Sequence, residues 1–210
     1  MQGNGLVQMT CYPVAAREIR LEDHPEVYPP AEDTLLLAEA VGRAEGRVLE
    51  LGTGSGLIAV LCALQGATVV ATDLNPHAVR LARVNAALNG VSIEAVEADL
   101  FEGIRGRFSL VVFNPPYLPT APEDVTGDRW LDASVDGGKD GLGPARRFLA
   151  GLRPRLAPGG RALTVVSSLS QGRLEPPPGL VLRPVAEKKL DFELLTVLQA
   201  KKAAGRAPPP

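Results

Sequence analysis

The sequence predicts an α/β protein, a doubly wound and mostly parallel sheet of seven strands. Short apolar runs alternate with segments whose apolar residues recur at helical spacing, which is typical of strand–helix–strand units. One run, Phe108 to Phe113, is almost continuously apolar, as expected for a strand covered on both faces. Two prolines end it, because proline cannot donate a hydrogen bond to a neighbouring strand. With 210 residues, the chain fits one domain around such a sheet.

The elements follow from local signals along the chain. Glu32 and Asp33 suit the first turn of a helix, since acidic groups complement its dipole, and Gly42 ends that helix. Pro76 suits the start of another helix, which Asn89-Gly90 ends. The expected strands are 47–51, 68–72, 91–96, 108–113 and 162–167, with an antiparallel hairpin of 180–186 and 192–198; the expected helices are 31–41, 57–64, 76–88 and about 144–152.

The ends of the chain and one long connection lie outside this pattern. Residues 1–24 show no clean periodicity and are expected to be an N-terminal extension to a main domain of residues 25–200. Residues 201–210 are expected to be a disordered tail. Residues 118–143 are rich in proline, glycine and aspartate, and are long for a connection, so we expect a binding loop there.

Composition excludes several classes of protein. A net charge of −2 and a pI of about 5.8 argue against a nucleic-acid-binding protein, because phosphates favour a strong basic excess. Cys11 and Cys62 are too few for a disulfide framework, and His24 and His77 are expected at the surface or in loops, so no metal site is predicted. No signal peptide or membrane-spanning run is found, and the expected compartment is the cytoplasm.

A cofactor site is predicted where the first three strands end. Gly52, Gly54 and Gly56 follow the first strand in a Gly-x-Gly-x-Gly spacing, whereas a dinucleotide fingerprint would need glycine at position 57. Glu50 would repel a pyrophosphate in that turn but can pair with an ammonium group, which S-adenosylmethionine carries. Asp73, after the second strand, can accept hydrogen bonds from ribose hydroxyls; Asp99, after the third, can accept one from the adenine amine, with Leu100 packed nearby.

The fourth strand ends in Asn114-Pro115-Pro116-Tyr117, which predicts a site for an NH2 group. Pro115 favours extended geometry at Asn114 and so holds it at the carboxyl end of a central strand, where open α/β sheets bind ligands. The side-chain oxygen of Asn114 and the carbonyl of Pro115 are two hydrogen-bond acceptors. Together they can hold an NH2 group so that its lone pair faces an electrophile.

These stretches, with Tyr28 to Thr34 and Gly137 to Gly141, resemble the HemK-type protein glutamine N5-methyltransferases of the short archaeal and eukaryotic branch. The resemblance implies the class I S-adenosylmethionine-dependent methyltransferase fold over residues 25–200. It implies catalytic roles for Asn114, Pro115 and Tyr117, with Pro116 shaping the substrate slot. By the same resemblance the cofactor is held by Thr34, Glu50, Gly52, Gly54, Gly56, Asp73, Asp99, Leu100 and Asn114, and no metal is required.

The resemblance also implies a substrate and a partner. The substrate is the glutamine of the Gly-Gly-Gln loop of a class-1 translation release factor, and the partner is a small zinc-binding activator protein. The strand 91–96 is expected at an edge of the sheet, where Val91, Ile93 and Val96 would suit strand addition by that activator. A helix or loop covering the same edge is the alternative.

Three other functions share parts of this pattern. A nucleic-acid amino methyltransferase, such as an N6-adenine enzyme, uses the same four-residue motif but needs a basic surface to grip phosphates. A protein lysine methyltransferase needs a base, for which the loop carboxylates Asp124, Asp128, Asp132 and Asp136 are candidates. A non-catalytic binding protein would keep the fold without the reaction, and the intact motifs argue against it.

Overall fold

The computed structural model describes residues 9–121 and 126–203. In that part of the chain, a seven-stranded sheet is flanked by helices and accompanied by a separate two-stranded hairpin. The helices are α1 (Glu32–Val41), α2 (Leu57–Leu64), α3 (Pro76–Leu88), α4 (Arg129–Val135) and α5 (Gly143–Leu152); the strands are β1 (Met9–Val14), β2 (Arg17–Glu22), β3 (Arg47–Leu51), β4 (Thr68–Asp73), β5 (Glu94–Glu97), β6 (Phe108–Phe113), β7 (Leu156–Ser167), β8 (Leu180–Lys189) and β9 (Leu194–Lys202).

The strand order of the large sheet confirms the predicted fold. The order is β5-β4-β3-β6-β7-β9-β8, and neighbouring strands from β5 through β7 are parallel. β9 runs antiparallel to both β7 and β8, which confirms the terminal hairpin. The order reverses between β3 and β6, so their carboxyl ends flank the crevice in which sheets of this kind bind ligands.

Both faces of the sheet are covered, which explains the continuous apolar runs. On one face Val48 and Val112 belong to a core cluster with residues of α1 and α2. On the other face Leu49 and Val111 belong to a second cluster with residues of α5. Because successive side chains of a strand point to opposite faces, a half-polar strand here would bury polar groups.

Several element boundaries differ from the prediction, including those of β5, β7, β8 and β9. β5 begins at Glu94 instead of 91, because the backbone N–H of Val91 donates to the carbonyl of Ala86 and so closes the end of α3. β7 begins at Leu156, six residues early. β9 extends through Lys202, where Lys202 pairs with Leu180, so the first two residues of the expected tail lie in a strand. Ala203 donates its backbone N–H to the carbonyl of Gly179, and the last residues of the expected tail, 204–210, lie outside the described residues.

The N-terminal extension contains regular structure that the sequence did not predict. Residues 9–22 form the hairpin β1–β2, whose turn has Ala15 and Ala16 at φ values of 49° and 59°. Ile19 and Leu21 of β2 are fully buried. The side-chain oxygen of Asn85, on α3, accepts a hydrogen bond from the backbone N–H of Glu22 at 2.7 Å. The hairpin could not be predicted because turns of this kind usually carry Asn or Gly at both left-handed positions, and this turn carries two alanines.

The long connection between β6 and α5 is partly ordered by its own hydrogen bonds. Leu118 and Asp136 form an isolated parallel bridge, and the N–H of Gly137 donates to the carbonyl of Leu118 at 3.0 Å. Between them lies α4, capped by the side chain of Asp128. No helix in the described ranges is long and apolar enough to cross a membrane.

Candidate active site

A cavity of about 400 Å³ lies where β3, β4, β5 and β6 end. All but one of the predicted site residues line it. Those residues are Thr34, Glu50, Gly52, Gly54, Asp73, Asp99, Leu100, Asn114, Pro115, Pro116 and Tyr117. The strands therefore bring together residues that are distant in the chain, as the sequence predicted.

The exception is Gly56, which packs against a helix and does not line the cavity. A Cβ placed on Gly56 would lie 2.9 Å from Cα and Cβ of Ala82 in α3. Gly52 and Gly54 do line the cavity, with φ values of 59° and 54°. The first two glycines thus shape the turn that faces the cavity, while the third lets α2 approach α3 closely.

Glu50 is a buried carboxyl group in the wall of the cavity. Its Oε2 accepts hydrogen bonds from the Thr53 hydroxyl at 2.6 Å and from the backbone N–H of Ala59 at 3.0 Å. Burial nevertheless raises the pKa of Glu50 to about 8. A cation placed beside it would favour the ionised form, so the site is suited to an ammonium group.

Asp73 and Asp99 are both held in place by the protein. Asp73 accepts hydrogen bonds from the backbone N–H groups of Gly54 and Asn75, each at 2.9 Å, and burial raises its pKa. Asp99 pairs with Arg147 of α5 at 2.6 Å, a contact that the sequence did not predict. Each carboxylate oxygen has two lone pairs, so both groups keep capacity for a ligand donor.

Asp33 is a site residue that the sequence analysis missed. The residue is 7% exposed, and its carboxylate contacts the side chain of Asn114. Oδ2 accepts hydrogen bonds from the Asn114 side-chain Nδ2 at 3.0 Å and from the Tyr117 hydroxyl at 3.1 Å, while Oδ1 accepts the backbone N–H of Thr34 at 2.6 Å. Its position next to Thr34 was visible in the sequence, but the acidic group was attributed to the first turn of α1.

The contact with Asp33 fixes which way the Asn114 amide faces. A carboxylate can only accept hydrogen bonds, so the NH2 group of Asn114 must face it. The oxygen Oδ1 therefore faces away from Asp33. It is buried and accepts no hydrogen bond from any described residue. Leaving such an acceptor unpaired costs about 1–3 kcal/mol, so this atom is suited to a donor that arrives from outside.

Tyr117 completes the wall on this side. Burial, together with the charges of Asp33 and Glu193, raises the pKa of its hydroxyl. The group therefore stays protonated at neutral pH and donates to Asp33 rather than acting as a base.

Three of the four loop carboxylates considered as bases accept hydrogen bonds from their own loop. Asp128 accepts hydrogen bonds from the N–H groups of Trp130 and Leu131, both at 3.0 Å, and so caps α4. The pKa of Asp132 is lowered mainly by the hydrogen bond that it accepts from the Thr126 hydroxyl. Asp136 lines the cavity and accepts the N–H of Gly138 at 2.8 Å. Asp124 lies outside the described residues.

The stretch Gly137 to Gly141 supports the end of the Asn-Pro-Pro-Tyr motif. A Cβ on Gly137 would lie 2.6 Å from the Leu118 carbonyl oxygen, and one on Gly141 would lie 2.3 Å from that of Tyr117. The Ser170 hydroxyl donates to the same Tyr117 carbonyl at 3.0 Å. Only glycine leaves room for the backbone of Tyr117 and Leu118 to approach this closely.

Fold and site together define a class I S-adenosylmethionine-dependent methyltransferase. The methyltransferase small domain family matches residues 21–129. Among solved structures, the 16S rRNA N2 G1207 methyltransferase of Thermus thermophilus, solved with AdoMet and guanosine, aligns with a TM-score of 0.69 at 21% identity, covering 95% of this chain and 51% of that one. At that identity the likeness shows the fold alone.

Three relatives identify the family. A protein of Methanocaldococcus jannaschii, provisionally named a protein N5-glutamine methyltransferase, is 44% identical over 189 residues, covering 87% of this chain and 95% of that protein. The release factor glutamine methyltransferase of Deinococcus radiodurans is 45% identical over 143 residues, or 64% of this chain and 51% of that protein. Human methyltransferase HEMK2 is 37% identical over 148 residues, or 64% and 69%. The chain belongs to the HemK-type protein glutamine N5-methyltransferase family.

Proposed function

We propose that the chain transfers a methyl group from S-adenosylmethionine to the side-chain amide nitrogen of the glutamine in the Gly-Gly-Gln loop of a class-1 translation release factor. The observation that carries the proposal is the unpartnered Oδ1 of Asn114, a buried acceptor in the cavity wall. The names of the relatives support the choice of glutamine and of a release factor. The proposal also implies that the protein works in the cytoplasm.

The enzyme's part in this reaction is to position the amide. An amide nitrogen is a poor nucleophile, because its lone pair is delocalised into the carbonyl group. Asn114 Oδ1 and the Pro115 carbonyl oxygen would accept hydrogen bonds from the two N–H groups of the amide. This localises the lone pair on the nitrogen and aims it at the methyl group. When bound, S-adenosylmethionine supplies an electrophilic methyl group. A nitrogen–carbon bond would form as the carbon–sulfur bond breaks, with S-adenosylhomocysteine as the leaving group, and the amide nitrogen would then release one proton to solvent, leaving N5-methylglutamine.

The residues present fit the cofactor. Glu50 would pair with the ammonium group, whose charge offsets the cost of ionising this buried carboxyl. Thr34, at the start of α1, would bind the methionine carboxylate, aided by the helix N-terminus. Asp73 would accept hydrogen bonds from the ribose hydroxyls, and Asp99, held by Arg147, one from the adenine amine. Pro116 and Tyr117 would enclose the substrate side chain.

The proposal is tested by transfer of labelled methyl from S-adenosylmethionine to a class-1 release factor. A matched release factor in which the Gly-Gly-Gln glutamine is replaced by alanine is the control, and an RNA and a DNA oligonucleotide are the competing substrates. We expect label on the first protein alone, and mass spectrometry should place 14 Da on the glutamine. Label on a lysine, or on an oligonucleotide in preference to protein, would overturn the proposal.

We further propose that a small zinc-binding activator pairs with the chain along β5, which is an edge strand of the large sheet. The apolar residues predicted to serve this contact are instead partly buried: Val91 and Ile93 pack against one core cluster and Val96 against the other. The exposed side chains of β5 are Glu94 and Glu97, so an added strand would bind through its backbone and would favour basic neighbours. Co-expression with such a protein should raise yield and activity; full activity of the chain alone would remove the need for a partner.

A further inference from the structure

The two histidines of the chain lie together in the folded protein. The sequence contains only His24 and His77. His24 lies in the segment that leads into α1, and His77 lies in the first turn of α3. Their ring centroids are 4.8 Å apart and the rings are stacked. The proposed methyl transfer uses neither residue.

A carboxylate completes the cluster. Glu26 Oε2 lies 2.9 Å from His77 Nε2, and one donor atom from each of His24, Glu26 and His77 can be chosen so that all three lie within 4.8 Å of one another. The backbone of Glu26 is fixed, because its carbonyl accepts a hydrogen bond from Asn75 Nδ2 at 2.6 Å. The side chains of Glu26 and His77 are partly exposed, at 45% and 36%, so an ion from solvent can reach them.

We propose that His24, Glu26 and His77 bind a divalent transition-metal ion of the zinc class. Two imidazoles and one carboxylate are ligands that suit Zn²⁺, with water in the fourth position. Donor atoms about 2.0–2.1 Å from a tetrahedral ion lie about 3.4 Å apart. The longest donor separation, 4.8 Å, therefore has to shorten by roughly 1.4 Å, and the 2.9 Å between Glu26 and His77 has to lengthen by roughly 0.5 Å. Rotation of these partly exposed side chains can supply both changes.

The location gives the ion a structural consequence. Glu26, Val27 and Tyr28 line one side of the cavity, and Asp73 and Asn75, just before α3, line the adjoining side. An ion held between Glu26 and His77 would join these two sides at the rim. It would thereby stabilise residues 26–28, which line this side of the cavity.

Calorimetric titration of Zn²⁺ into tag-free protein tests the site. Cys11 is exposed and could bind zinc by itself, so the reference protein is Cys11→Ser. We expect one equivalent of Zn²⁺ to bind the reference protein, and His77→Ala and His24→Ala in that background to bind at least ten times more weakly. Zn²⁺ should also raise the melting temperature of the reference protein and not that of the two histidine variants, because an ion that binds only the folded state stabilises it by mass action.

Equal binding by the reference protein and both histidine variants would overturn the proposal, as would the absence of stoichiometric binding to the reference protein. Glu26→Gln tests whether the Glu26 carboxylate is a ligand of the ion or only an ion-pair partner of His77. It should weaken zinc binding while leaving both imidazoles in place. Neither readout depends on methyl transfer, so failure of the proposed function would leave this test intact.

Discussion

The carboxylate of Asp33 accepts a hydrogen bond from the side-chain amide of Asn114 at 3.0 Å, across 81 positions of the chain. This single contact decides which atom of Asn114 is left without a partner among the described residues, since only the NH2 group can donate to a carboxylate. We therefore expect Asp33 to act on the proposed reaction through Asn114, as a positioning residue. The same carboxylate also accepts a hydrogen bond from the Tyr117 hydroxyl at 3.1 Å, so one group orients two side chains that line the cavity.

Asp33→Asn should lower kcat by a factor on the order of 10². An asparagine at this position can donate as well as accept, so the Asn114 amide would no longer be held in one orientation. The measurement is steady-state kinetics on the release factor, with Glu32→Gln, the exposed neighbour, as the matched control. A kcat within twofold of wild type would show that the orientation of Asn114 is set elsewhere.

Asn114→Ala removes the acceptor itself. Loss of one positioned group of this kind commonly lowers the rate by about 10²–10³. We expect a loss of turnover in that range, with the affinity for S-adenosylmethionine nearly unchanged in calorimetry. Thr120→Ala, whose hydroxyl bonds only to the nearby Leu118 carbonyl among the described residues, is the control. Turnover near the wild-type rate would contradict the mechanism.

Asp73→Ala should weaken binding of S-adenosylmethionine, because it removes the proposed acceptor for the ribose hydroxyls. It also removes the acceptor for the Gly54 N–H at 2.9 Å, which helps to hold the glycine-rich turn. Calorimetry gives the affinity, and a thermal melt shows whether the variant is folded. The comparison variant is Asp191→Ala, which lies in the turn between β8 and β9. An unchanged affinity would refute the assignment of Asp73.

Glu50 should make the stability of the ligand-free protein depend on pH. Below about 4.5 the carboxyl is protonated in both the folded and the unfolded chain. Between about 4.5 and about 8 the unfolded chain loses a proton that the folded chain keeps, so the free energy of unfolding falls as pH rises. Above about 8 both forms are ionised and this fall ends.

Urea unfolding at pH 5, 7 and 9 measures that slope, and Glu50→Gln should remove the part that Glu50 contributes. Binding of a cationic ligand beside Glu50 should also release a proton at pH 7, because the ligand favours the ionised carboxylate. Calorimetry in buffers of different ionisation enthalpy detects this proton. Parallel pH profiles for the wild-type protein and Glu50→Gln would disprove the titration.

Gly137→Ala should distort the far end of the Asn-Pro-Pro-Tyr motif. The added methyl group would lie 2.6 Å from the Leu118 carbonyl and 2.7 Å from Cα of Gly141, both of which are backbone atoms. Overpacking of this kind costs about 1–3 kcal/mol, and we expect kcat to fall as Tyr117 shifts. Gly143→Ala, whose new methyl group would meet its nearest atom at 3.2 Å, should have the smaller effect. Equal effects of the two variants would argue against the packing role.

The sequence predicted those parts of the molecule that have local causes. Buried parallel strands have continuous apolar runs, and the residues that follow them meet at one edge of the sheet, so the positions of Glu50, Asp73, Asp99 and Asn114 could be inferred. The hairpin β1–β2 could not, because its turn uses two alanines where glycine or asparagine is usual.

Contacts between distant segments leave no local pattern in the sequence, so they could not be predicted. An acidic residue at position 33 is already explained by the first turn of a helix, so the sequence pattern does not indicate its hydrogen bond to Asn114. Gly56 was grouped with Gly52 and Gly54 by spacing alone, although its constraint comes from Ala82 on another helix. The meeting of His24 with His77 likewise depends on how α3 packs beside the segment before α1.

The bridge between Leu118 and Asp136 has a consequence for how enzymes of this kind can diverge. Backbone hydrogen bonds join residues 118–120 to residues 136–138. The segment between them therefore begins and ends at one fixed place near Asn114. The residues between can change in length and composition without moving the groups proposed to hold the amide. Selectivity for one polypeptide or another can therefore evolve in this excursion while the chemistry stays constant, and transplanting it between relatives should carry the preference along.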